Sequence, residues 1–474
     1  MNNFRQYNQS QGVFRNLTPE ELLEEEHPAR IIDKVVETLD LAELYDSYSE
    51  EGNAAYHPKM MLKVMFYSYY DGTMTGRKVE KNLEDRASYI FLSGDQVPDF
   101  RTINAFRVRH ANILPRLFAQ IVMLCRSLDM IGFKNLAVDG QKIQANANFT
   151  KSYNNERLVK RFEKLTKGME KLIACEPTNA NEEKLQKRKL GKLRKQKKKL
   201  EGVSEVLREL AKQNKDATVN TTDKDAPMMS HKDRTKKPSY NHQSAVDGKM
   251  GVTVAVQTTI VNDNAEHLEE LNEQAKENIG APHENILADC GFCDYEHLEK
   301  LVDEKNPQKY YVPDPRFAID ESGGGKLGKY DSCHFEFDEE GTLRCPEGKE
   351  LKRDMIKQLD GYTLTQYSGT TCESCSARGL CTKGKKRTIT IDSRCQYKQI
   401  MRRRLRDPEG RAIYRKRQAI VEAPHGDDQK NKKWRQHYLR GYKKAAIEFI
   451  LMRIGSNLGK IIRFKAAEMI AYSS

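Results

Sequence analysis

Three acidic residues, each at the end of a short apolar run, constrain most strongly what this chain can form. Asp139 and Asp289 each follow three apolar residues and precede a glycine by one or two positions. Glu422 follows the apolar run 419–421 in a very basic segment. A buried strand that ends on a carboxylate and turns on a glycine can hold a divalent cation, and two Asp with one Glu can bind Mg²⁺ for two-metal phosphoryl transfer. The three residues therefore predict an enzyme that cuts and joins nucleic acid, while each acid taken alone also suits an ordinary turn.

The composition fits a large basic protein. The chain has 474 residues, which predicts two to four domains, and a net charge of +13, which suits a polyanionic partner or simply a soluble surface. Residues 1–6 are polar, and the apolar stretch 117–125 is interrupted by Gln120 and too short to span a bilayer. We therefore expect a cytoplasmic protein with no membrane partner. Its ten cysteines are expected to be reduced thiols or metal ligands rather than disulfides.

Residues 18–125 are predicted to form a series of helices. Thr18 caps a helix that begins with proline, apolar residues recur at helical spacing over 31–39, and another helix starts after His57. Asp99 caps a further helix. The basic residues of that helix are Arg101, Arg107, Arg109 and His110, of which we take Arg101 and Arg107 as DNA-binding candidates. Short basic helices suit a DNA-binding helix-turn-helix, but an all-helical packing domain is the alternative.

The middle of the chain is predicted to form a mixed sheet. The strands are expected at 135–138, 141–146, 252–261, 285–288 and 309–312, and the helices at 267–275 and 295–302. We expect the first two strands to pair with each other, and residues 246–251 to form a hairpin turn between two strands. Residues 213–245 are polar until Tyr240 and are expected to be partly flexible. From residue 134 onward, without the segment 155–212 and counting the strand that leads into the turn at 246–251, the order β-β-β-β-α-β-α-β indicates a sheet with helices on its faces.

The segment 155–212 is predicted to be an antiparallel helical hairpin. Apolar residues recur every three or four positions over 158–172 and every seven positions over 193–207, and a helix breaker separates the two runs at 176–181. Ten of the twenty residues over 181–200 are Lys or Arg. This charge run suits a solvated helix face and a basic arm on DNA equally well.

A dense group of cysteines follows the sheet segment. A Cys-x2-Cys pair supplies two of the four ligands of a tetrahedral zinc site. The predicted zinc ligands are Cys345, Cys372, Cys375 and Cys381, with Cys333 or Cys395 as substitutes, and a reduced, metal-free cluster is the alternative. Cys125 and Cys175 lie in apolar helical contexts and are expected to be packing residues. Cys290 and Cys293 form a second, isolated Cys-x2-Cys pair beside Asp289, which is weak evidence of a site.

Several segments, in this order, resemble insertion-sequence transposases of the DDE type, in the bacterial branch with a cysteine cluster late in the catalytic domain. The resemblance runs from about residue 15 to residue 465. Its markers are HPKMMLK at 57–63, DFRTINAFR at 99–107, VDGQKIQANAN at 138–148, YNHQSAVD at 240–247, ADCGF at 288–292, YRKR at 414–417, VE at 421–422 and LRG at 439–441.

The resemblance implies an RNase H-like catalytic core and assigns roles to individual residues. Asp139 would lie on the first strand, Asp289 would follow a later strand, and Glu422 would lie on a C-terminal helix. Together they would hold two Mg²⁺ ions, so that water frees a 3′-hydroxyl at the element end and that hydroxyl attacks the target strand. Tyr414 and Arg417 match the family's Tyr and Arg, which contact DNA near the cut.

The segment after Glu422 departs from the family pattern. The family's lysine about two turns after the Glu falls at Gln429, and Lys430, a DNA-binding candidate, lies one residue later. The pair Asp427-Asp428 is expected to place negative charge where the phosphate backbone passes.

The resemblance also implies partners and a location. The partner is double-stranded DNA, as element ends and as target, and a homodimer is expected because two ends must be joined in one complex. The protein would act in the cytoplasm, associated with the nucleoid.

The expected fold class is α+β or α/β, with an RNase H-like mixed-sheet core, an N-terminal helical domain, an inserted helical hairpin and a small cysteine-rich insertion. The expected domains are a helical DNA-binding and assembly domain at 1–130, the first parts of the catalytic core at 131–152 and 218–320, the hairpin at 153–217, the cysteine-rich insertion at 321–398 and the C-terminal helical part of the core at 399–474.

Three functional hypotheses follow from these observations. The first is an active DDE transposase that cleaves and joins DNA with two Mg²⁺ ions. The second is a catalytically inactive DNA-binding derivative of a transposase, which the departure at Gln429 favours. The third is an RNase H-like nuclease that cuts without strand transfer. Metal-dependent joining of a 3′-hydroxyl end to target DNA separates the first hypothesis from the other two.

Overall fold

A computed structural model gives the architecture of the chain. It describes residues 18–48, 55–213, 217–231, 233–261, 265–321, 327–338 and 340–473, so the polar segment 1–6 considered above lies outside the described residues. Contacts divide the chain into two compact units. The first comprises Met1–Ile121 and Ile450–Ser474, and the second comprises Val122–Phe449.

The first unit is built from helices, as predicted. A 3₁₀ helix at Pro19–Leu22 is followed by α1 (Pro28–Glu37), α2 (Ala42–Asp46), α3 (Pro58–Tyr70), α4 (Gly76–Asp85), α5 (Ala87–Ser93), α6 (Phe100–Arg109) and α7 (Leu114–Ser127), whose last residues belong to the second unit. Thr18 and His57 precede their helices as expected. The Asp99 carboxylate accepts a hydrogen bond from the Thr102 backbone N–H at 2.7 Å, which satisfies one of the unpaired donors at the start of α6. These predicted helix starts are confirmed.

Arg107 belongs to the core of the first unit and not to its surface. Its side chain is buried, and its guanidinium donates hydrogen bonds to the Tyr69 hydroxyl at 3.0 Å and the Met74 carbonyl at 2.8 Å. A buried guanidinium needs such partners, because a charge without them is costly to remove from water. The expected DNA contact of Arg107 is therefore not supported, whereas Arg101 on the same helix is exposed.

The second unit contains a six-stranded mixed sheet. Its strands are β1 (Asn135–Gln144), β4 (Met228–Ser230), β5 (Lys236–Asp247), β6 (Thr253–Thr259), β7 (Asn285–Leu287) and β8 (Lys309–Tyr311), and a separate two-residue ladder joins β2 (Ser152–Tyr153) to β3 (Val219–Asn220). β5 is antiparallel to β1, β4 and β6, whereas β7 runs parallel to β1 and β8 runs parallel to β7. A mixed sheet of this kind is consistent with an RNase H-like core.

Two strand predictions were wrong. Residues 135–144 form one continuous strand and not two paired strands, because Gly140 stays in the ladder opposite Gln243 and the chain does not turn there. The segment 213–245, expected to be partly flexible, contains most of β5, which pairs with strands on both of its sides. Its polar side chains are buried among partners from distant parts of the chain; the Gln243 amide, for example, meets the His267 ring at 3.2 Å.

Helices cover both faces of this sheet. The helices after β6 are α10 (Ala265–Ile279), α11 (Tyr295–Val302), α12 (Pro315–Glu321), α13 (Arg378–Cys381), α14 (Cys395–Arg406), α15 (Pro408–Gly426) and α16 (Tyr442–Ser473). Helix α10 packs on the sheet face that carries Gln243, where its His267 ring contacts the Gln243 amide. The opposite face, which carries Asp139, faces α15.

The predicted helical hairpin is present between β2 and β3. It consists of α8 (Asn155–Ala174) and α9 (Ala180–Gln213). A small apolar core joins the two helices near their base: Leu158, Leu165, Leu200, Val203, Leu207 and Val219. The hairpin therefore has its own core beside that of the sheet.

The cysteine-rich segment forms a second sheet, which was not among the predicted elements. Its strands are β9 (Glu336–Phe337), β10 (Leu343–Arg344), β11 (Glu350–Leu359), β12 (Tyr362–Gly369) and β13 (Thr388–Asp392), in the spatial order β13-β12-β11-β10-β9. All ten cysteines are free thiols, as expected. Cys125 is buried as predicted, but Cys175 is exposed, because it caps the C-terminus of α8 beyond the hairpin core. In the part of the chain that is described, no helix has the length and apolar character needed to cross a membrane.

Candidate active site

Asp139 lies on β1, and Asp289 lies at the matching position just beyond the end of the neighbouring parallel strand β7. In the ladder between β1 and β7, Ala137 pairs with Leu287. Continuing this register by two residues brings Asp139 opposite Asp289, where β7 has just ended and Asp289 caps a 3₁₀ helix at Cys290–Phe292. The Asp289 carboxylate accepts a hydrogen bond from the Gly291 N–H at 2.8 Å, which fixes the turn. The sheet thus places two acids, 150 residues apart in sequence, at one edge.

Helix α15 brings two basic side chains to Asp139. Arg417 Nη1 lies 3.7 Å from one carboxylate oxygen and His425 Nδ1 lies 3.7 Å from the other. These distances are ionic contacts and exceed those of hydrogen bonds. Positions 417 and 425 lie eight residues apart on a helix, so both side chains fall on the side that faces β1. The sequence did not single out His425 as a site residue, and its role depends on this long-range packing.

Tyr414 belongs to the same site. Burial raises the pKa of its phenol, and the nearby Arg417 partly offsets the effect while Asp289 adds to it. Burial likewise raises the pKa of the Cys290 thiol, with Asp289 adding to the shift and Arg417 opposing it. Tyr414 and Cys290 are therefore neutral at physiological pH. The two residues expected to contact DNA near the cut, Tyr414 and Arg417, both lie beside the acids.

Glu422 lies on α15 between Arg417 and His425 in sequence, but its side chain is exposed. Its carboxylate accepts a hydrogen bond from the Gln418 amide at 2.7 Å. Among the described residues, no group of three or more His, Cys, Asp or Glu side chains is arranged to hold a metal ion. The structure thus brings Asp139 to Asp289 and places Glu422 on the covering helix, without closing the three carboxylates around one point.

The residues beside Asp139 include buried polar atoms that suit a hydrated cation. Side chains alternate along a strand, so Gln141 shares a face with Asp139, and Ser244 is the cross-strand neighbour of Asp139 on β5. The Gln141 amide oxygen and nitrogen and the Ser244 hydroxyl are buried without a hydrogen-bond partner among the described residues. Mg²⁺ prefers carboxylate oxygens as ligands and keeps several of its bound waters. Those waters donate hydrogen bonds to nearby oxygens such as the Gln141 amide oxygen and the Ser244 hydroxyl oxygen. The donor set therefore fits a divalent cation.

The segment after Glu422 presents less negative charge than expected. Residues Asp427–Asn431 form a π-helix that continues α15. Asp428 is fully buried, and the Asp427 carboxylate lies 3.4 Å from the Lys432 ammonium. The expectation that both aspartates place negative charge where the phosphate backbone passes is therefore not supported, because the Asp428 side chain is buried and the Asp427 carboxylate is paired with Lys432. Lys430 is exposed, as a DNA contact requires.

A buried polar network anchors the chain beyond the π-helix to the sheet face that carries Asp139. The His437 ring meets the Glu448 carboxylate at 2.8 Å through Nδ1 and the His242 ring at 2.8 Å through Nε2. Trp434, fully buried, stacks on Phe449 in the same layer. His242 is the cross-strand partner of Gln141, so this network fixes the end of α15 relative to the strand that carries Asp139.

The four predicted zinc ligands line one small cavity in the second sheet. Cys345, Cys372, Cys375 and Cys381 surround a space of about 30 Å³. Cys333 and Cys395, the suggested substitutes, line a different cavity of about 380 Å³. Burial raises the pKa of the Cys381 thiol, and each of the other three thiols adds to the shift while Arg387 opposes it. A bound dication would stabilise the four thiols as thiolates.

Comparison with known proteins identifies two regions of the chain. Residues 344–462 match the family model described as a transposase DDE domain, a span that includes Glu422 and the four cysteines. Residues 17–109 match the model described as a transposase domain of the DUF772 type. No curated protein and no solved structure matched the chain significantly. DDE transposases generally use divalent metal ions, and they act on DNA. The chain therefore belongs to the insertion-sequence transposases that combine these two domains, enzymes that move DNA by cleavage and strand transfer.

Proposed function

We propose that Asp139, Asp289 and Glu422 are the three carboxylates of the transposition reaction and hold two Mg²⁺ ions. The observation that carries this proposal is the parallel register of β1 and β7, which brings Asp139 opposite Asp289 when it is continued by two residues. When bound, the ions would supply an activated oxygen nucleophile and charge relief on the phosphate. Glu422 is the third acid, because it lies on the helix that already contacts Asp139.

The remaining side chains bind and orient the DNA. Arg417 neutralises charge on the scissile phosphate, and the neutral Tyr414 phenol donates a hydrogen bond to a phosphate oxygen. Gln141 and Ser244 accept hydrogen bonds from water held between the acids. In the first step a water oxygen bonds to phosphorus and the 3′-oxygen leaves as a hydroxyl. In the second step that hydroxyl bonds to a target phosphorus and displaces the target's own 3′-oxygen.

The test is metal-dependent cleavage and joining of duplex DNA that carries the element ends. Asp139→Asn and Asp289→Asn should each lower the cleavage rate at least about 100-fold, since loss of a metal ligand removes several kcal/mol of transition-state stabilisation. End binding should remain. Asp303→Asn, an exposed acid that caps a turn outside the site, is the matched control. Undiminished cleavage by Asp139→Asn would refute the assignment. Specific end binding by a wild-type protein that never cleaves would indicate an inactive DNA-binding derivative.

We propose that the cysteine-lined cavity holds a structural Zn²⁺ ion through Cys345, Cys372, Cys375 and Cys381. The support is that the four thiols share one cavity and that the Arg387 backbone N–H lies 3.5 Å from the Cys372 sulfur, a contact that would stabilise a thiolate. Zinc would hold the small sheet together, since its apolar core contains five buried residues among those that the structure describes.

The zinc proposal is tested by the double variant Cys372→Ser and Cys375→Ser. It should lose about one zinc ion per chain and unfold at a lower temperature, measured by elemental analysis and calorimetry. The control is Cys333→Ser with Cys395→Ser, which removes two thiols from the other cavity and should retain the metal. Equal metal content in both double variants would overturn the proposal.

We further infer that the protein acts as a homodimer on double-stranded DNA and that the predicted domain division holds as far as residue 449, since residues from Ile450 onward group with the first unit. The support for a dimer is chemical, because transposition must hold two element ends and a target together. The mass of the complex with end DNA, measured in solution, tests it; one chain per pair of ends would contradict it.

A further inference from the structure

The helical hairpin is fixed at its base and extends away from its own core. The base is tied by the β2–β3 ladder, by the Asn220 amide, which donates to the Asn148 carbonyl at 2.8 Å, and by the Lys224 ammonium, which donates to the Gly202 carbonyl at 3.0 Å. The apolar core ends at Leu165 on α8 and Leu200 on α9. Every residue over 166–199 lies in the described part of the chain, and none of them is buried. This distal part, which we name the distal arm, therefore buries little apolar surface.

The distal arm carries positive charge that acids do not balance. Over 181–200 the ten Lys and Arg face only two acids, Glu182 and Glu183. Lys187 pairs with Glu183, and among the described residues none of the other nine has a carboxylate within 4.0 Å. Elsewhere on the hairpin, by contrast, Lys212 pairs with Glu209 within one helical turn. A merely solvated helix face usually mixes both signs in this way, so the arm differs from the rest of its own hairpin.

The charges form a stripe on one side of α9. At 100° per residue, positions 184, 188, 195 and 199 lie within about 60° of one another, and all four side chains are exposed. Half-buried Gln186, Leu190 and Leu193 lie on the opposite side, toward α8. The stripe is about 22 Å long, and successive cations are about one or two helical turns apart. Like charges one turn apart destabilise an isolated helix, so an anionic partner would stabilise this one.

The chemistry of the arm selects one kind of anion. Residues 163–217 contain no Phe, Tyr, Trp or His, so the arm offers no ring on which the bases of a single strand stack. What it offers is a straight row of cations, and duplex DNA carries one phosphate charge per about 1.7 Å of its axis. We propose that the distal arm binds the phosphate backbone of duplex DNA through Lys184, Arg188, Lys195 and Lys199, without reading its sequence. This extends the proposed function, because it gives the transposase a contact with flanking or target DNA away from the carboxylate edge.

The test compares two variants that each lose four positive charges. The arm variant changes Lys184, Arg188, Lys195 and Lys199 to Gln. The control variant changes the exposed lysines Lys276, Lys300, Lys305 and Lys309 to Gln. Glutamine forms helices nearly as well as lysine, so circular dichroism should show both variants folded.

Affinity for a random-sequence duplex is measured without metal at several salt concentrations. The arm variant should bind at least about tenfold more weakly at low salt, and the slope of log affinity against log salt should fall by about 3 to 4, since each phosphate contact contributes about 0.9. A third variant with Arg at all four positions should restore both values. The loss should be the same for every sequence tested.

Equal affinity and slope in the arm and control variants would overturn the proposal and would favour an acidic protein as the partner of the stripe. Because binding is measured without metal, the result does not depend on the carboxylates. A protein that fails to cleave DNA but shows the arm effect would therefore contradict the assignment of Asp139, Asp289 and Glu422 and leave the arm in place.

Discussion

Asp139 illustrates how one residue acquires its setting from two distant elements. The pairing of β1 with β7 brings Asp289 next to Asp139. Helix α15 places Arg417 and His425 each 3.7 Å from the Asp139 carboxylate. Asp139 and Asp289 could be picked out from the sequence by the apolar residues before them, because that pattern lies within four residues. His425 was not predictable, because its contact with Asp139 depends on how a helix almost 290 residues later packs on the sheet.

Gly410 sets how closely α15 approaches its neighbours. A Cβ atom at this position would overlap the Arg404 carbonyl oxygen and meet the Tyr311 ring at 3.3 Å. We predict that Gly410→Ala destabilises the second unit by about 1 to 3 kcal/mol, because the backbone must shift to admit the methyl group. The shift should also slow cleavage, since α15 carries Arg417. Denaturant unfolding and the cleavage assay measure the two effects.

Gly426 on the same helix is the control for this substitution. A Cβ atom there meets nothing within 4 Å, and the residue has helical dihedral angles. Gly426→Ala should be neutral or stabilising by up to about 1 kcal/mol. If both substitutions destabilised the protein equally, the effect at Gly410 would not come from its close approach to Arg404 and Tyr311.

At the scale of elements, predictions succeeded where the signal is local. The starts of α3 and α6 follow from a His-Pro step and an Asp cap, and the two runs of leucines mark the hairpin helices. Prediction failed for β5, whose buried polar side chains pair with His267 on α10 and His437 beyond α15. It failed also for β11, most of whose residues are exposed, because an exposed polar hairpin has no alternating apolar pattern.

The packing of α1 against α3 is expected to depend on pH through Glu37. Hydrogen bonds from the Lys59 and Lys63 ammonium groups lower the pKa of the Glu37 carboxyl to about 2. In the unfolded chain the pKa of Glu is about 4.3. A carboxyl with a lowered pKa in the folded state stabilises that state fully above the unfolded value and loses this contribution as the pH falls through the folded value.

We therefore predict that the stability difference between wild type and Glu37→Gln is constant above about pH 5 and shrinks between about pH 4 and pH 2. Denaturant unfolding at fixed pH values measures it. Glu84→Gln, at an exposed position on α4, controls for the loss of a carboxyl from the same unit. A difference that persists unchanged at pH 2 would show that the two lysine contacts do not hold Glu37 ionised. The difference itself should be small, because Glu37 is about half exposed.

At the scale of the whole molecule, the C-terminal helix folds with the N-terminal helices. Residues from Ile450 onward group with the N-terminal helices, although α16 begins at Tyr442 in the second unit. Gly455 marks the contact within the first unit, because a Cβ atom there would lie 2.7 Å from the Tyr69 backbone of α3. The prediction that residues 399–474 belong to the catalytic core does not hold for residues from Ile450 onward, because buried residues lie all round α16 and its sequence does not indicate which core it completes.

This arrangement predicts that the first unit does not fold without the C-terminal helix. Ile454, Leu458 and Ile461 are almost completely buried, and each contributes about 1.5 to 3 kcal/mol, so their joint loss is comparable to the stability of a whole domain. A chain that ends at Phe449 should lose the cooperative thermal transition of the first unit, whereas a chain that ends at Phe464 should keep it. A peptide of residues 450–474 added to the shorter chain should restore the transition. If the shorter chain melted like the longer one, the N-terminal helices would form a complete core by themselves, and the C-terminal helix would serve the second unit alone.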